Sequence, residues 1–79
     1  MEEPLVFLAE WFDIASGLHR EFNFSFYTSD NSVELYDLKT KKLFLRRAPG
    51  GYVTKKDLFI GNTVVIYSRH LLLKEFVQT

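Results

Sequence analysis

The chain has 79 residues, no cysteine, ten basic against ten acidic side chains, and 47% apolar residues, eight of them Phe. This length allows a single small domain, and without thiols it can be held neither by disulfides nor by a thiolate-bound metal. No apolar run approaches the roughly 20 residues of a membrane-crossing helix, and the acidic start Met1-Glu2-Glu3-Pro4 has the wrong sign for a secretory leader, so a cytosolic chain is expected.

Leu5 to Ile14, LVFLAEWFDI, is apolar and aromatic and suits a strand as well as a helix, and Ala15-Ser16-Gly17 punctuates it as a turn. In Glu21 to Tyr27, EFNFSFY, Phe22, Phe24 and Phe26 alternate with polar residues. A period of two predicts a strand with three rings on one face, and three core rings explain it better than a stacking platform for nucleic acid, because the polar face carries no base.

Ser29-Asp30-Asn31-Ser32 predicts a turn, Val33 to Leu38 a short strand, Lys39-Thr40-Lys41-Lys42 a second polar tip, and Leu43-Phe44-Leu45 another strand. Arg46-Arg47-Ala48-Pro49-Gly50-Gly51 is expected to leave the ladder, since Pro lacks a donor and Gly favours turns. Thr54 to Asp57 has the spacing of a capping box, opening one helical turn through Leu58 and Phe59 that ends at Gly61. Thr63 to Tyr67 and Leu71 to Val77 read as paired strands, with Ser68-Arg69-His70 as their reversal. The sum is a mainly β chain: a small antiparallel barrel or curled sheet of about six or seven strands, with at most one short helical turn near residues 55–60.

The balanced charge hides an asymmetry. Residues 1–37 hold eight acids against Arg20 alone, and residues 38–79 hold nine bases against Asp57 and Glu75. Either this makes a dipolar surface for charged partners, or the halves fold together and the charges interleave, because strand order places them in space.

The motifs of catalysis are missing. Gly50-Gly51 lacks the Lys-Ser/Thr of a phosphate loop, His19 and His70 stand outside metal-ligand spacing, and the serines have no nucleophile elbow around them. Glu10 and Asp13 flank Trp11 as a perturbed carboxylate pair would, although facing solvent or pairing across strands accounts for them more simply. No catalytic, cofactor-binding or metal-binding residue is therefore expected. Two features remain: the basic tips between Lys39 and Lys56, and Trp11 between its two acids, a core residue unless it belongs to an interface.

Three ordered stretches carry a resemblance. FLAEWFD at 7–13, FSFY followed by SVELYDLKTKKLFLRR within 24–47, and DLFIGNTVVIYSRHLLLKEF at 57–76 are similar to the DM-ten domain, a module of axonemal doublet-microtubule proteins. The likeness is greatest to the version that opens a ciliary nucleoside diphosphate kinase homologue. The resemblance implies a pleckstrin-homology-like module spanning 1–79, the N-terminal part of a longer protein, whose last hairpin packs Val64, Ile66, Leu71 and Leu73 inward and sets Arg69 at its turn. It further implies a non-catalytic structural role as a microtubule inner protein in the cilium or flagellum axoneme. The implied partners are tubulin and neighbouring axonemal proteins, with no nucleic acid, no membrane and a monomer in isolation.

Candidate partner contacts on the basic tips are Lys39, Lys41, Lys42, Arg46 and Arg47, with Arg69 added at the hairpin. Two alternatives stay open: a pleckstrin-like phosphoinositide-binding module, suggested by fold analogy and the basic tips, and a regulatory domain for adjacent kinase-like domains.

Overall fold

The computed structural model describes residues 3–77. Six strands form one antiparallel sheet: β1 (Leu5–Asp13), β2 (Leu18–Tyr27), β3 (Ser32–Asp37), β4 (Lys42–Pro49), β5 (Thr63–Ile66) and β6 (Arg69–Val77). Their order across the sheet is β4-β3-β2-β1-β6-β5, so the outermost strands β4 and β5 do not pair, and the sheet curls into a half-barrel. The one helical element among the described residues is a 3₁₀ turn at Lys55–Asp57.

The alternating phenylalanines set the inside. Phe7 lies opposite Phe24 and Ala9 opposite Phe22 across β1 and β2, and Phe24 lies opposite Leu35 across β2 and β3. Phe22, Phe24 and Phe26 are fully buried together with Val33, Leu35, Leu71 and Leu73. Each such side chain contributes roughly 1.5–3 kcal/mol by leaving water, which is how so short a chain holds a core without a covalent staple. Of the stretch 5–14, residues 5–13 form a strand rather than a helix because they have partners on both sides, β2 and β6, and Ile14 opens the turn.

The last hairpin buries Val64, Ile66, Leu71 and Leu73, as the resemblance implies. Val65 and Leu72 alternate with them and face outward, so neither apolar run is buried throughout. The reversal itself falls one residue earlier than expected. Tyr67 and Ser68, at φ +48° and +68°, form the turn, and Arg69 and His70 already belong to β6. A two-residue hairpin of the type I′ kind has left-handed backbone at both positions, which matches strand twist, and here an aromatic and a serine supply it.

The expectation that 46–51 leaves the ladder is corrected for its first four residues. β4 runs through Arg46, Arg47 and Ala48 to Pro49, with Ala48 opposite Val33 and Pro49 opposite Ser32. A proline is tolerated because β4 is an outermost strand, where a missing N–H can face away from the sheet. Two register shifts lie within the β3–β4 pairing, from Val33 to Leu35 and from Leu35 to Tyr36, each giving β4 one extra residue. The second shift leaves Phe44 between paired Leu43 and Leu45, and bulged residues turn toward the same face. Leu45 accordingly packs on the core while the Phe44 ring centroid sits 4.9 Å from that of Phe22.

The connection from β4 to β5 crosses the open side of the half-barrel. Val53 enters the core and Leu58 packs against it. Gly50 starts this crossing where its N–H donates to the Asn31 carbonyl at 3.0 Å, and a Cβ at Gly50 would stand 2.6 Å from that same oxygen. The capping box forms as expected, with Thr54 N–H donating to Asp57 Oδ2 at 2.9 Å. The helical turn, however, is shorter than expected and does not include Leu58 or Phe59.

Candidate docking surfaces

Of the six sequence-selected bases, Lys39 and Lys41 share one turn and Lys42 opens β4 directly after it. Asp37, buried at the end of β3, accepts N–H bonds from Lys39 at 2.8 Å and Thr40 at 3.2 Å, while its backbone carbonyl accepts from Lys41 at 2.9 Å. The tip is thus tied by its backbone, and Lys41 takes a left-handed φ of +57°. Lys39, Lys41 and Lys42 stand exposed on it, and Arg46 is exposed further along β4. A fixed backbone carrying mobile cations is suited to an anionic partner, at modest energy per charge.

Arg47 and Arg69 are engaged by their own chain. The Arg47 guanidinium lies 3.7 Å from the Tyr27 ring centroid, its Nε donates to Ser32 Oγ at 2.8 Å, and its Nη2 lies 3.4 Å from Asp30 Oδ1. Arg47 therefore stitches β4 to the turn between β2 and β3. Arg69 lies over two rings at one mouth of the half-barrel, 5.4 Å from Trp11 and 4.9 Å from Phe44, with Nη1 donating to the Tyr67 carbonyl at 3.2 Å. This cation spans the mouth from β6 to the bulge of β4. Trp11 itself is half-buried and packs on the core edge.

The acids beside Trp11 pair across strands. Glu10 Oε2 lies 3.4 Å from His19 Nδ1, and Asp13 Oδ2 lies 3.4 Å from Arg20 Nε. Arg20 also reaches Asp37 at 3.7 Å, so one guanidinium joins β1, β2 and β3. Partial desolvation opposes ionisation of Asp13, but bonds from the Ser16 hydroxyl and N–H, the Ala15 N–H and the Arg20 charge outweigh it and hold the carboxyl below its ordinary value. Asp30 is lowered first by the Ser32 hydroxyl, against desolvation, and then by the Ser32 N–H and Arg47. His19 and His70 are both exposed, on β2 and β6. No three His, Cys, Asp or Glu side chains among the described residues gather as a metal-holding group.

Sequence reasoning missed the open seam between the outermost strands. A cleft of about 530 Å³ runs there, with Pro49, Gly50, Tyr52 and Val53 on one bank and Thr63, Val64, Val65 and Tyr67 on the other. Tyr67 Oη donates to the Pro49 carbonyl at 3.0 Å and ties the banks together at one point. Tyr52 is fully exposed and Val65 half exposed. The signal that could have found it is Thr63-Val64-Val65-Ile66, a β-branched run without a charge or a proline, which offers an outermost strand no protection.

No family model matches the chain. Among curated proteins it is 40% identical over 74 residues to nucleoside diphosphate kinase homolog 7 of Mus musculus, covering 94% of this chain and 19% of that protein. The same-named protein of Rattus norvegicus is 39% identical over 74 residues, with the same shares covered. The chain thus spans about a fifth of the length of these curated relatives. Over nearly all of its length, it is similar to the N-terminal part of nucleoside diphosphate kinase homolog 7, the resemblance that its ordered motifs carry.

Proposed function

We propose that this chain is a non-catalytic protein-interaction module that anchors a larger protein on the doublet microtubules of cilia, against tubulin or neighbouring axonemal proteins. The observation that carries the reading is where its hydrophobic surface lies. Inside, the apolar residues are spent on one core; outside, thirteen large hydrophobics remain exposed among the described residues. They fall in groups rather than singly. Phe12, Ile14 and Leu18 surround the β1–β2 turn, Phe59 and Ile60 adjoin the 3₁₀ turn, and Tyr36 lies opposite Leu43. Grouped apolar surface on so small a domain fits lasting contact with other protein, with exposed bases setting orientation and encounter.

The similarity to the N-terminal part of a much longer kinase homolog supports the modular side of this reading. The ciliary setting and the microtubule partner rest on the likeness of its motifs to the DM-ten domain.

The test is co-sedimentation with purified axonemal doublets, run beside flotation on anionic vesicles. The triple variant Lys41→Glu, Lys42→Glu, Arg46→Glu is expected to lose several-fold in doublet binding, with the wild-type chain failing to float on vesicles. Doublet binding unchanged in the triple variant removes the basic tips from the account. Flotation that high salt abolishes transfers the function to phosphoinositide headgroups.

A further inference from the structure

We infer that the seam beside β5 is a strand-addition site for an extended, acid-flanked peptide of another protein. β5 is outermost in the sheet and pairs with β6 alone. In an antiparallel ladder, alternate residues direct both backbone groups toward one neighbour. The tight turn at Tyr67-Ser68 makes Ile66 and Arg69 a bonded pair, and two residues on, Val64 and Leu71 are another. Thr63 and Val65 therefore point N–H and C=O away from β6, and no hydrogen bond among the described residues reaches those groups. Their side chains face outward, leaving this edge approachable.

The seam's shape selects the occupant. The bank of Pro49 to Val53 faces β5 across the cleft, so the space is walled on both sides. A single extended strand enters such a space. The β5 of a second copy arrives with β6 already attached behind it and meets the opposite bank. Tyr52, Val64, Val65 and Tyr67 offer apolar walls for alternate side chains of the incoming strand, while backbone bonds supply the register.

Charge selects the flanks. Lys55 and Lys56 are exposed on the 3₁₀ turn between Val53 and Asp57, two residues that line the cleft, and neither makes an ion pair among the described residues. The carboxylate of Asp57 is taken by the Thr54 N–H at 2.9 Å. The rim next to the seam is thus basic, and acids at the ends of a bound strand complete it. This site uses none of the bases assigned to anchoring, so either proposal can fail without the other.

The experiment measures fluorescence anisotropy of a labelled synthetic peptide of alternating valine and threonine with glutamates at both ends, titrated with the full chain. Controls are the same peptide with lysine ends and the same peptide N-methylated at alternate amides. The glutamate-ended peptide is expected to bind, the lysine-ended one about tenfold more weakly, and the methylated one not at all. Val65→Pro deletes an edge donor while leaving the β5–β6 bonds in place, and it is expected to weaken binding by about tenfold or more with an unchanged circular dichroism spectrum. Lys55→Glu with Lys56→Glu should reverse the preference for peptide ends. Binding that survives Val65→Pro, equal binding of the methylated peptide, or no binding of the glutamate-ended peptide overturns the proposal. So does a dimer of the chain that Val65→Pro dissociates in sedimentation equilibrium, which would assign the edge to a second copy. If Val65→Pro fails to fold, the methylated peptide decides.

Discussion

β4 and β5 end the same sheet, but they meet the problem of an unpaired edge differently. β4 has eight residues, with two register shifts, a terminal proline, and Lys42, Arg46 and Arg47 along it. Bulges, prolines and basic side chains each hinder another chain from pairing with an edge. β4 is also held down by side chains, Arg47 on Tyr27 and Ser32, and Phe44 on Phe22. β5 has four residues, all uncharged, in unbroken register with β6. Its protection is its shortness and the facing bank at 49–53. The difference teaches that these two edges have different work: one is shut by its own sequence, and the other is left for a guest.

The predicted effects, largest first, fall on Gly50, on the adjacent arginines of β4, and on the carboxyls of Asp13 and Asp30, none of which belongs to β5. Gly50→Ala should have the largest effect. Its Cβ would meet the Asn31 carbonyl oxygen, a backbone atom, at 2.6 Å. A loss of about 1–3 kcal/mol is expected from overpacking of this kind, read as a lower urea midpoint with an unchanged slope. An unchanged midpoint would show that the crossing strand is not pinned at Asn31.

Next comes a pair of adjacent arginines. Arg47→Ala should cost about 1 kcal/mol, because a cation–π contact and a charge-assisted hydrogen bond are lost from a partly exposed site. Arg46→Ala should stay within about 0.5 kcal/mol, as surface changes without partners do. Equal costs in thermal unfolding would mean that Arg47 does not fasten β4.

The smallest effect is that of acid. Asp30 and Asp13 are held below the ordinary carboxylate value in the folded chain. A carboxyl lowered on folding stabilises the folded state at every pH above its unfolded value of about 3.9, and that contribution fades as pH falls through the lower folded value. Stability should therefore be level near neutrality and decline below about pH 4. Asp30→Asn should flatten part of that decline, and it should do so on the β4 side, where Arg47 is the partner. A decline already under way near pH 6 would place the responsible group elsewhere.

The sequence made the inside of this molecule readable and its rims hard to read. Phe22, Phe24 and Phe26 announce a strand because their period is a property of neighbouring residues. The same holds for the capping box at Thr54 and Asp57. Arg46 to Pro49 misleads because the rule against proline in a ladder lapses at an edge, and being an edge depends on strand order. Nothing local links Arg47 to Tyr27, or Arg69 to Trp11 and Phe44. Those pairs arise from register and from the bulge at Phe44. The basic tip at 39–42 could be read because its residues are contiguous. The seam could not, because its banks, at 49–53 and 63–67, are separate segments of the chain, and it exists only once the sheet has curled.

The contrast between the edges is tested most directly by amide hydrogen exchange, followed residue by residue with and without the glutamate-ended peptide. The account predicts fast exchange at Thr63 and Val65 beside protected Val64 and Ile66 in the free chain. On adding peptide, Thr63 and Val65 should slow while the β4 amides stay unchanged. Slow exchange at Thr63 and Val65 before any peptide is added, or new protection confined to β4, would contradict it.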